Sequence, residues 1–269
     1  MAEVLGVSRS GYYAWLTRPE SNRKKQQRAL DTVVKVCFKA SNDRSGSPKV
    51  CQALKQQGFG CSRTAVANSM RRQGLRAKTR RKFVFTTDSR HNLLVAPNLL
   101  NRKFDVDRPN TVWVSDITYL WSRAGWLYLT VFIDLFSRRV VGWSLSKDLG
   151  HESVLTALQR AIYNRRPGPG LMIHSDQGTQ YCCEGFRKAI KTNQFVQSMS
   201  RKGNCWDNAV AESFFRALKT EWAYHINLID IHHAKHELFE YIKVFYNNQR
   251  LHGTLNYLSP THFESKQIA

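Results

Sequence analysis

The chain has 269 residues, 42% of them hydrophobic, with 14 Phe, 10 Tyr and 7 Trp. That is enough apolar material for one large core or two modest ones, which excludes a disordered or low-complexity chain. Lys and Arg number 41 against 20 Asp and Glu, a formal net charge of +21, the balance of a protein that holds a polyanion.

The excess is uneven: residues 1–90 carry 20 basic and 5 acidic side chains, residues 91–269 carry 21 and 15. A basic grip followed by a near-ordinary globular domain is expected, although charge alone would also suit a basic RNA binder. Ser8 caps a short helix bearing Tyr12, Tyr13, Trp15 and Leu16, which Arg18-Pro19 stops. Leu30, Val33, Val34, Cys37 and Phe38 recur at helical spacing and predict a helix over 27–40. Ser47-Pro48 starts another helix, which ends at Gly58. Ser62 caps a third, running to about Gln73 and closed by Gly74. Helix, glycine turn, helix is the pattern of a helix-turn-helix. Its last helix and the run after it offer Arg63, Asn68, Arg71, Arg72, Arg76, Lys78, Arg80, Arg81 and Lys82 to phosphates or base edges. A small bundle with a charged exterior would read the same way.

Residues 91–106 are polar and weakly periodic and are read as a linker. After them the pattern turns to β. Thr111–Trp121, Trp126–Asp134 and Arg139–Leu145 are rich in Val, Ile, Phe and Trp, with turns at Gly125 and Ser137-Arg138, and predict an antiparallel meander. A helix over Glu152–Asn164, a strand over Leu171–Ser175, a helix over Glu184–Lys191 and a strand over Phe195–Met199 follow. Two longer helices are expected near 207–222 and 230–247. His232, His233, Lys235 and His236 lie in the last of these, with no cysteine nearby, and read as solvated rather than as a zinc site. No apolar run approaches the roughly 20 residues of a membrane span, and the N-terminal Met-Ala-Glu-Val-Leu-Gly has neither region of a signal peptide. Six cysteines without a C-x-x-C pair read as reduced thiols. A cytoplasmic, nucleoid-associated protein is expected.

Three acids stand out in this basic chain. Asp116 interrupts the apolar run Val112-Trp113-Val114-Ser115-Asp116-Ile117, where an ionised carboxylate without a partner costs several kcal/mol. Asp176 follows the strand Leu171–Ser175, a position that also suits a plain turn. Glu212 shares a helix face with Arg216 and Lys219, opposite Val210, Phe214, Ala217, Leu218 and Trp222. A solvated Glu–Arg pair would look alike. Taken together, a mid-strand Asp, a strand-end Asp and a helix Glu suit a two-metal site, in which oxygen ligands favour Mg2+ or Mn2+ over zinc. Asp134 is a fourth candidate, but Arg138 and Arg139 beside it argue for a structural ion pair.

The order of elements and several strings resemble a known family. These are Trp113-Val114-Ser115-Asp116-Ile117-Thr118-Tyr119, Ile133-Asp134-Leu135-Phe136-Ser137-Arg138, His174-Ser175-Asp176-Gln177-Gly178, Gly203-Asn204-Cys205-Trp206-Asp207-Asn208-Ala209 and Tyr246-Asn247-Asn248-Gln249-Arg250-Leu251-His252. With Ser10-Gly11-Tyr12-Tyr13-Ala14-Trp15 and Gly46-Ser47-Pro48, they resemble the second-frame transposases of two-frame bacterial insertion sequences, in the superfamily of retroviral integrases. Ser45 departs from the tyrosine usual there. The resemblance implies a ribonuclease-H-like integrase core, a mixed sheet flanked by helices, over 107–263, after a small basic all-α region of helix-turn-helix type over 1–90. It implies Asp116, Asp176 and Glu212 as catalytic residues holding two Mg2+ ions, with Lys219 and Arg216 near the DNA. The implied activity is metal-dependent strand cleavage and strand transfer at element ends, by a homo-oligomer on double-stranded DNA, alone or with an upstream-frame partner or fusion. A non-catalytic DNA-binding regulator and a ribonuclease-H-like nuclease are the competing readings.

Overall fold

The structure, a computed structural model, describes residues 4, 6, 8–78, 94–202 and 204–268. It divides into two compact units, Met1–Lys78 and Thr79–Ala269.

The first unit is helical. In α1 (Arg9–Thr17), the Ser8 hydroxyl accepts from the Gly11 N–H at 3.0 Å, satisfying one orphan donor of the first turn. Tyr12, Tyr13, Trp15 and Leu16 remain exposed on it. α2 (Asn22–Ala40) begins earlier than its apolar spacing implies, because Ser21 caps a polar first turn. With α3 (Ser47–Gln56) and α4 (Arg63–Arg72) it encloses Val34, Phe38, Val50, Cys51, Leu54, Val66 and Met70. Asp31 clamps α2 to α4, accepting from Ser69 Oγ at 2.5 Å and Arg72 Nη2 at 2.6 Å.

The second unit is built on a five-stranded sheet of order β3-β2-β1-β4-β5. β1 (Val112–Ser122), β2 (Gly125–Asp134) and β3 (Val140–Ser146) form the expected meander. Gly125, at φ +112°, supplies the left-handed backbone that the β1–β2 turn requires. α5 (His151–Arg165) crosses over to β4 (Met172–Ser175), which runs parallel to β1. α6 (Thr179–Cys182) and α7 (Glu184–Thr192) lead to β5 (Val196–Met199), parallel to β4. α8 (Ala209–Glu221) and α9 (Ile231–Phe239) follow. The helix expected to 247 is continued by a π-helix, Glu240–Tyr246. The apolar set Tyr241, Ile242, Phe245 and Tyr246 suits either winding, so the pattern does not distinguish them. α10 (Pro260–Ile268) closes the unit, and the boundary expected at 263 falls inside it.

Alternation along β1 sorts the core. Val112, Val114 and Leu120 face α8 and α9, while Trp113 faces the cluster holding Val154, Leu158 and Phe186 of α5 and α7. Residues 94–106, read as a linker, form no helix or strand, but Leu100 is buried in the core of this unit. Asn98 and Arg102 also donate to the buried carboxylate of Asp207, at 2.9 and 2.8 Å. Residues 98–102 are thus packed on this unit.

Candidate active site

Strand register brings the first two acids together. β1 and β4 pair in parallel with Val112 opposite Met172, Trp113 opposite Ile173 and Val114 opposite His174. The same offset carried two residues further would set Asp116 level with Asp176, just past the end of β4. β4 ends at Ser175, so Asp176 leaves the sheet at the carboxyl end of a parallel strand, where α/β sheets open a crevice. Asp176 Oδ1 accepts from the Gly178 N–H at 3.0 Å, and a Cβ on Gly178 would come within 3.0 Å of that oxygen. Glycine keeps this turn tight against the carboxylate. Asp116 Oδ1 accepts from the Ile117 N–H at 2.8 Å.

Asp116 keeps partial solvent access, yet protein surrounds its carboxyl closely; the floor of a cleft has both properties. Its pKa is pushed well above the usual carboxylate value, by burial first and then by the charges of Asp176 and Glu212, while Lys219 opposes the rise. Glu212 is raised by burial alone. Lys219 is lowered by burial and supported by Asp116. The three acids and the lysine therefore share one electrostatic neighbourhood. Arg216 lies exposed on α8, one turn beyond Glu212. Asp134 belongs elsewhere: it is fully buried, accepts from the N–H groups of Asn110 and Phe136 at 2.8 and 2.9 Å, and pairs with Arg165 at 3.5 Å. A structural ion pair was expected there with Arg138 or Arg139. Instead, Arg138 donates to the Phe104 carbonyl and Arg139 pairs with Glu264.

α8 places Glu212 in its first turn and Lys219 in its last, each at the end of the helix dipole that suits its charge. Phe214, Phe215, Ala217 and Leu218 bury the opposite side against the sheet. The approach to α8 is pinned by two residues whose roles no local pattern revealed. Asp207 accepts from Arg201 N–H, Nε and Nη2 at 3.0, 2.9 and 2.8 Å. Asn208 donates from Nδ2 to the Ser115 carbonyl at 3.1 Å, tying the start of the Glu212 helix to the backbone beside Asp116. Both residues bond partners distant in the chain or in another element, which local spacing does not signal. Under the site, Tyr181 Oη and Ser115 Oγ are 2.8 Å apart. His174 bridges Ser198 and Ser200 through its two ring nitrogens and is held neutral by burial, its pKa down to about 4.

Among the described residues, no three His, Cys, Asp or Glu side chains are close enough to hold a metal ion as they stand. The acids lie near enough to bear on one another's charge, but do not form one finished coordination sphere. Their chemistry still fits a hard divalent cation. The donors are all carboxylate oxygens, and like charges confined in a poorly solvated cleft are what such a cation relieves.

In the helical unit, Arg63, Asn68, Arg71 and Arg76 are exposed, and Arg71 donates to Asn68 at 3.2 Å. Arg72 is committed to Asp31, so it serves the fold as well as the surface. Lys78 is half-buried and its N–H meets the Asp43 carbonyl at 2.9 Å. Arg80, Arg81 and Lys82 lie outside the described residues.

Family models described as Integrase core domain match residues 106–205 and 212–268, and one described as HTH-like domain matches residues 24–83. The chain is 41% identical over 271 residues to Transposase InsF for insertion sequence IS3A of Escherichia coli strain K12, spanning 100% of this chain and 94% of that one. It is 40% identical over 266 residues to the Insertion element IS600 uncharacterized 31 kDa protein of Shigella sonnei, spanning 99% and 98%. Its fold is similar to a chain of the simian T-cell lymphotropic virus intasome in complex with PP2A regulatory subunit B56 gamma, with TM-score 0.50, 17% identity, and coverage of 86% of this chain and 74% of that one. With the sheet, the family models and a 41% match that spans the whole chain in agreement, the chain belongs to the IS3-family insertion-sequence transposases, DDE-type polynucleotidyl transferases that join an HTH-like region to an integrase core.

Proposed function

We propose that this chain cuts DNA at the ends of an insertion sequence and joins the freed 3′-hydroxyl to a second phosphodiester, with Asp116, Asp176 and Glu212 as its catalytic residues. The observation that carries the reading is the parallel β1–β4 register, which brings the strand of Asp116 beside the strand that ends at Asp176, with Glu212 and Lys219 on the helix packed against β1. The three carboxylates would hold two Mg2+ ions, or Mn2+, which activate the attacking oxygen and stabilise the leaving one. One oxygen each of Asp116 and Asp176 is oriented by a backbone N–H, while bringing Glu212 into a shared coordination sphere would fall to the ions themselves. Lys219 balances charge at Asp116 and, with Arg216, steadies a phosphate near the cut.

Residues 1–90 would grip the duplex through Arg63, Asn68, Arg71, Arg72, Arg76, Lys78, Arg80, Arg81 and Lys82, with 91–106 joining them to a catalytic domain over 107–263. Joining two element ends calls for two active sites, hence a homo-oligomer on DNA, with an upstream-frame protein as a further partner in the nucleoid. The test is strand transfer with oligonucleotides bearing the element ends and Mg2+. Asp116→Asn, Asp176→Asn and Glu212→Gln should each abolish joining while DNA binding persists. Joining that survives any one substitution removes that residue from the site, and cutting without joining by the native chain favours a nuclease.

A further inference from the structure

An aromatic ladder stands on the β1–β2 hairpin. Tyr119 pairs across the strands with Tyr128, and Trp121 with Trp126. Their rings lie in edge contact, with centroids 5.2 Å apart for Tyr119–Tyr128, 6.4 Å for Tyr119–Trp126 and 5.0 Å for Trp121–Trp126. Trp121 is 62% exposed and Trp126 53% exposed, although each is a residue type that normally buries most of its surface. The rings sit toward the hairpin end, where β1 and β2 pair without a break.

The ladder continues outward from the carboxylates. Tyr119 lies three residues beyond Asp116 and Trp121 five, about 10 and 17 Å along the strand at about 3.3 Å per residue. A stacked nucleic acid strand advances about 3.4 Å per nucleotide, so the rings lie about three to five nucleotides from a phosphate held at Asp116. By alternation the rings and Asp116 face opposite sides of β1. The two sides meet along an open edge, since among the described residues β4 pairs with β1 only as far as Val114. Burial first and the Tyr128 hydroxyl next raise the Tyr119 pKa, and the charges of Asp176 and Asp116 add to it. Arg123 is exposed in the turn at the far end of the ladder, where it can meet a phosphate.

We propose that Tyr119, Tyr128, Trp121 and Trp126 form a stacking platform for unpaired nucleotides of the cleaved strand as it runs into the carboxylate cleft. The occupant is DNA because the platform lies on the same strand as Asp116, across an open edge from the place where this transposase must hold its substrate, and the exposed Arg123 stands at its outer end. Aromatic faces accept any base, so the platform adds affinity without sequence preference. The position of the strand rests on the carboxylate reading above.

The full chain is tested in metal-free buffer with a blunt duplex and with the same duplex bearing a short single-stranded tail that contains 2-aminopurine. The tail should tighten binding by about tenfold, on the scale of one or two base–aromatic contacts, and quench the fluorophore. Combining Trp121→Ala with Trp126→Ala should erase both effects while leaving blunt-duplex affinity and the thermal midpoint nearly unchanged. If that pair lowers the midpoint, Trp121→Phe with Trp126→Phe, which keeps two stacking faces, should retain most of the tail's gain. The proposal is overturned if the native chain binds tailed and blunt DNA alike, or if the alanine pair keeps the gain. It is equally overturned if the alanine pair converts a dimer to a monomer with the tail's effect unchanged, which would give the rings to a second copy. Asp116→Asn separates the two readings: strand transfer by that variant would sink the carboxylate assignment, whereas loss of the tail's effect in the tryptophan variants concerns the platform alone.

Discussion

Asp116→Asn should make the protein more stable without metal and less stable with it. Carried on, the register sets Asp116 near Asp176, and two unit charges about 6 Å apart repel by about 3 kcal/mol at an effective dielectric constant of about 20. Asp116 escapes part of this by holding its proton, which is what its raised pKa means. An acid whose folded pKa is raised loses native stability as pH climbs from the unfolded value, about 4, through the folded one. The deficit of the native chain relative to Asp116→Asn should therefore be absent near pH 4 and present at neutral pH. Half of the repulsion, about 1.5 kcal/mol, amounts to about 3–6 °C in the melting of a unit the size of Thr79–Ala269. Saturating Mg2+ reverses the order. Ligand at about 100 times its Kd adds about 2.7 kcal/mol, or about 5–11 °C, to a chain that binds it and nothing to one that has lost the site. Calorimetric melts of both proteins, with EDTA and with Mg2+, across pH, measure all of this. An equal Mg2+ response in the two proteins, or no gain for Asp116→Asn in EDTA at neutral pH, would refute the reasoning.

Arg250 meets the nearly buried Glu221 through Nε at 2.8 Å and Nη2 at 2.7 Å, so Arg250→Met strands an enclosed carboxylate and should cost about 3–5 kcal/mol, read as a fall in melting temperature. Gly142 on β3 faces the Ala157 carbonyl, and a Cβ there would lie 2.6 Å from the Ala161 Cβ; Gly142→Ala should push α5 off the sheet and cost about 1–3 kcal/mol or more, seen as lost soluble yield or a lower midpoint. The hydrogen bonds of Arg201 and Arg102 hold the Asp207 carboxyl well below the usual range, so its stabilisation is complete above about pH 4 and is lost as pH falls through the folded value. Melts from acid to neutral pH should show the gap between native and Asp207→Asn closing toward the acid end. Arg71→Ala should reduce the salt dependence of DNA binding by about one counterion with an unchanged melt; Arg72→Ala, which breaks the pair with Asp31, should lower the melting temperature as well, and identical behaviour of the two would count against the structural assignment of Arg72.

Much of this protein could be read before folding because its signals are local. Ser8 and Ser62 cap the helices they precede, the meander follows its β-branched and aromatic runs, and Asp116 marks itself by interrupting one of them. Those are statements about neighbours in the chain, and short-range sterics and hydrogen bonding decide them. α10 escaped notice although Ser259-Pro260 repeats the form of Ser47-Pro48, because its short polar span offered little apolar periodicity. Everything that depended on distant partners had to wait for the fold. Asp134 took Arg165 rather than its neighbours Arg138 and Arg139, Arg72 turned inward to Asp31, and Asp207 tied residues 98–102 to the approach of α8. A carboxylate chooses among the donors that packing brings within about 3 Å, and sequence distance has no part in that choice. The meeting of Asp116 with Asp176 has the same origin: one parallel register, set by burial on both faces of the sheet, turned a long separation along the chain into adjacent strand positions.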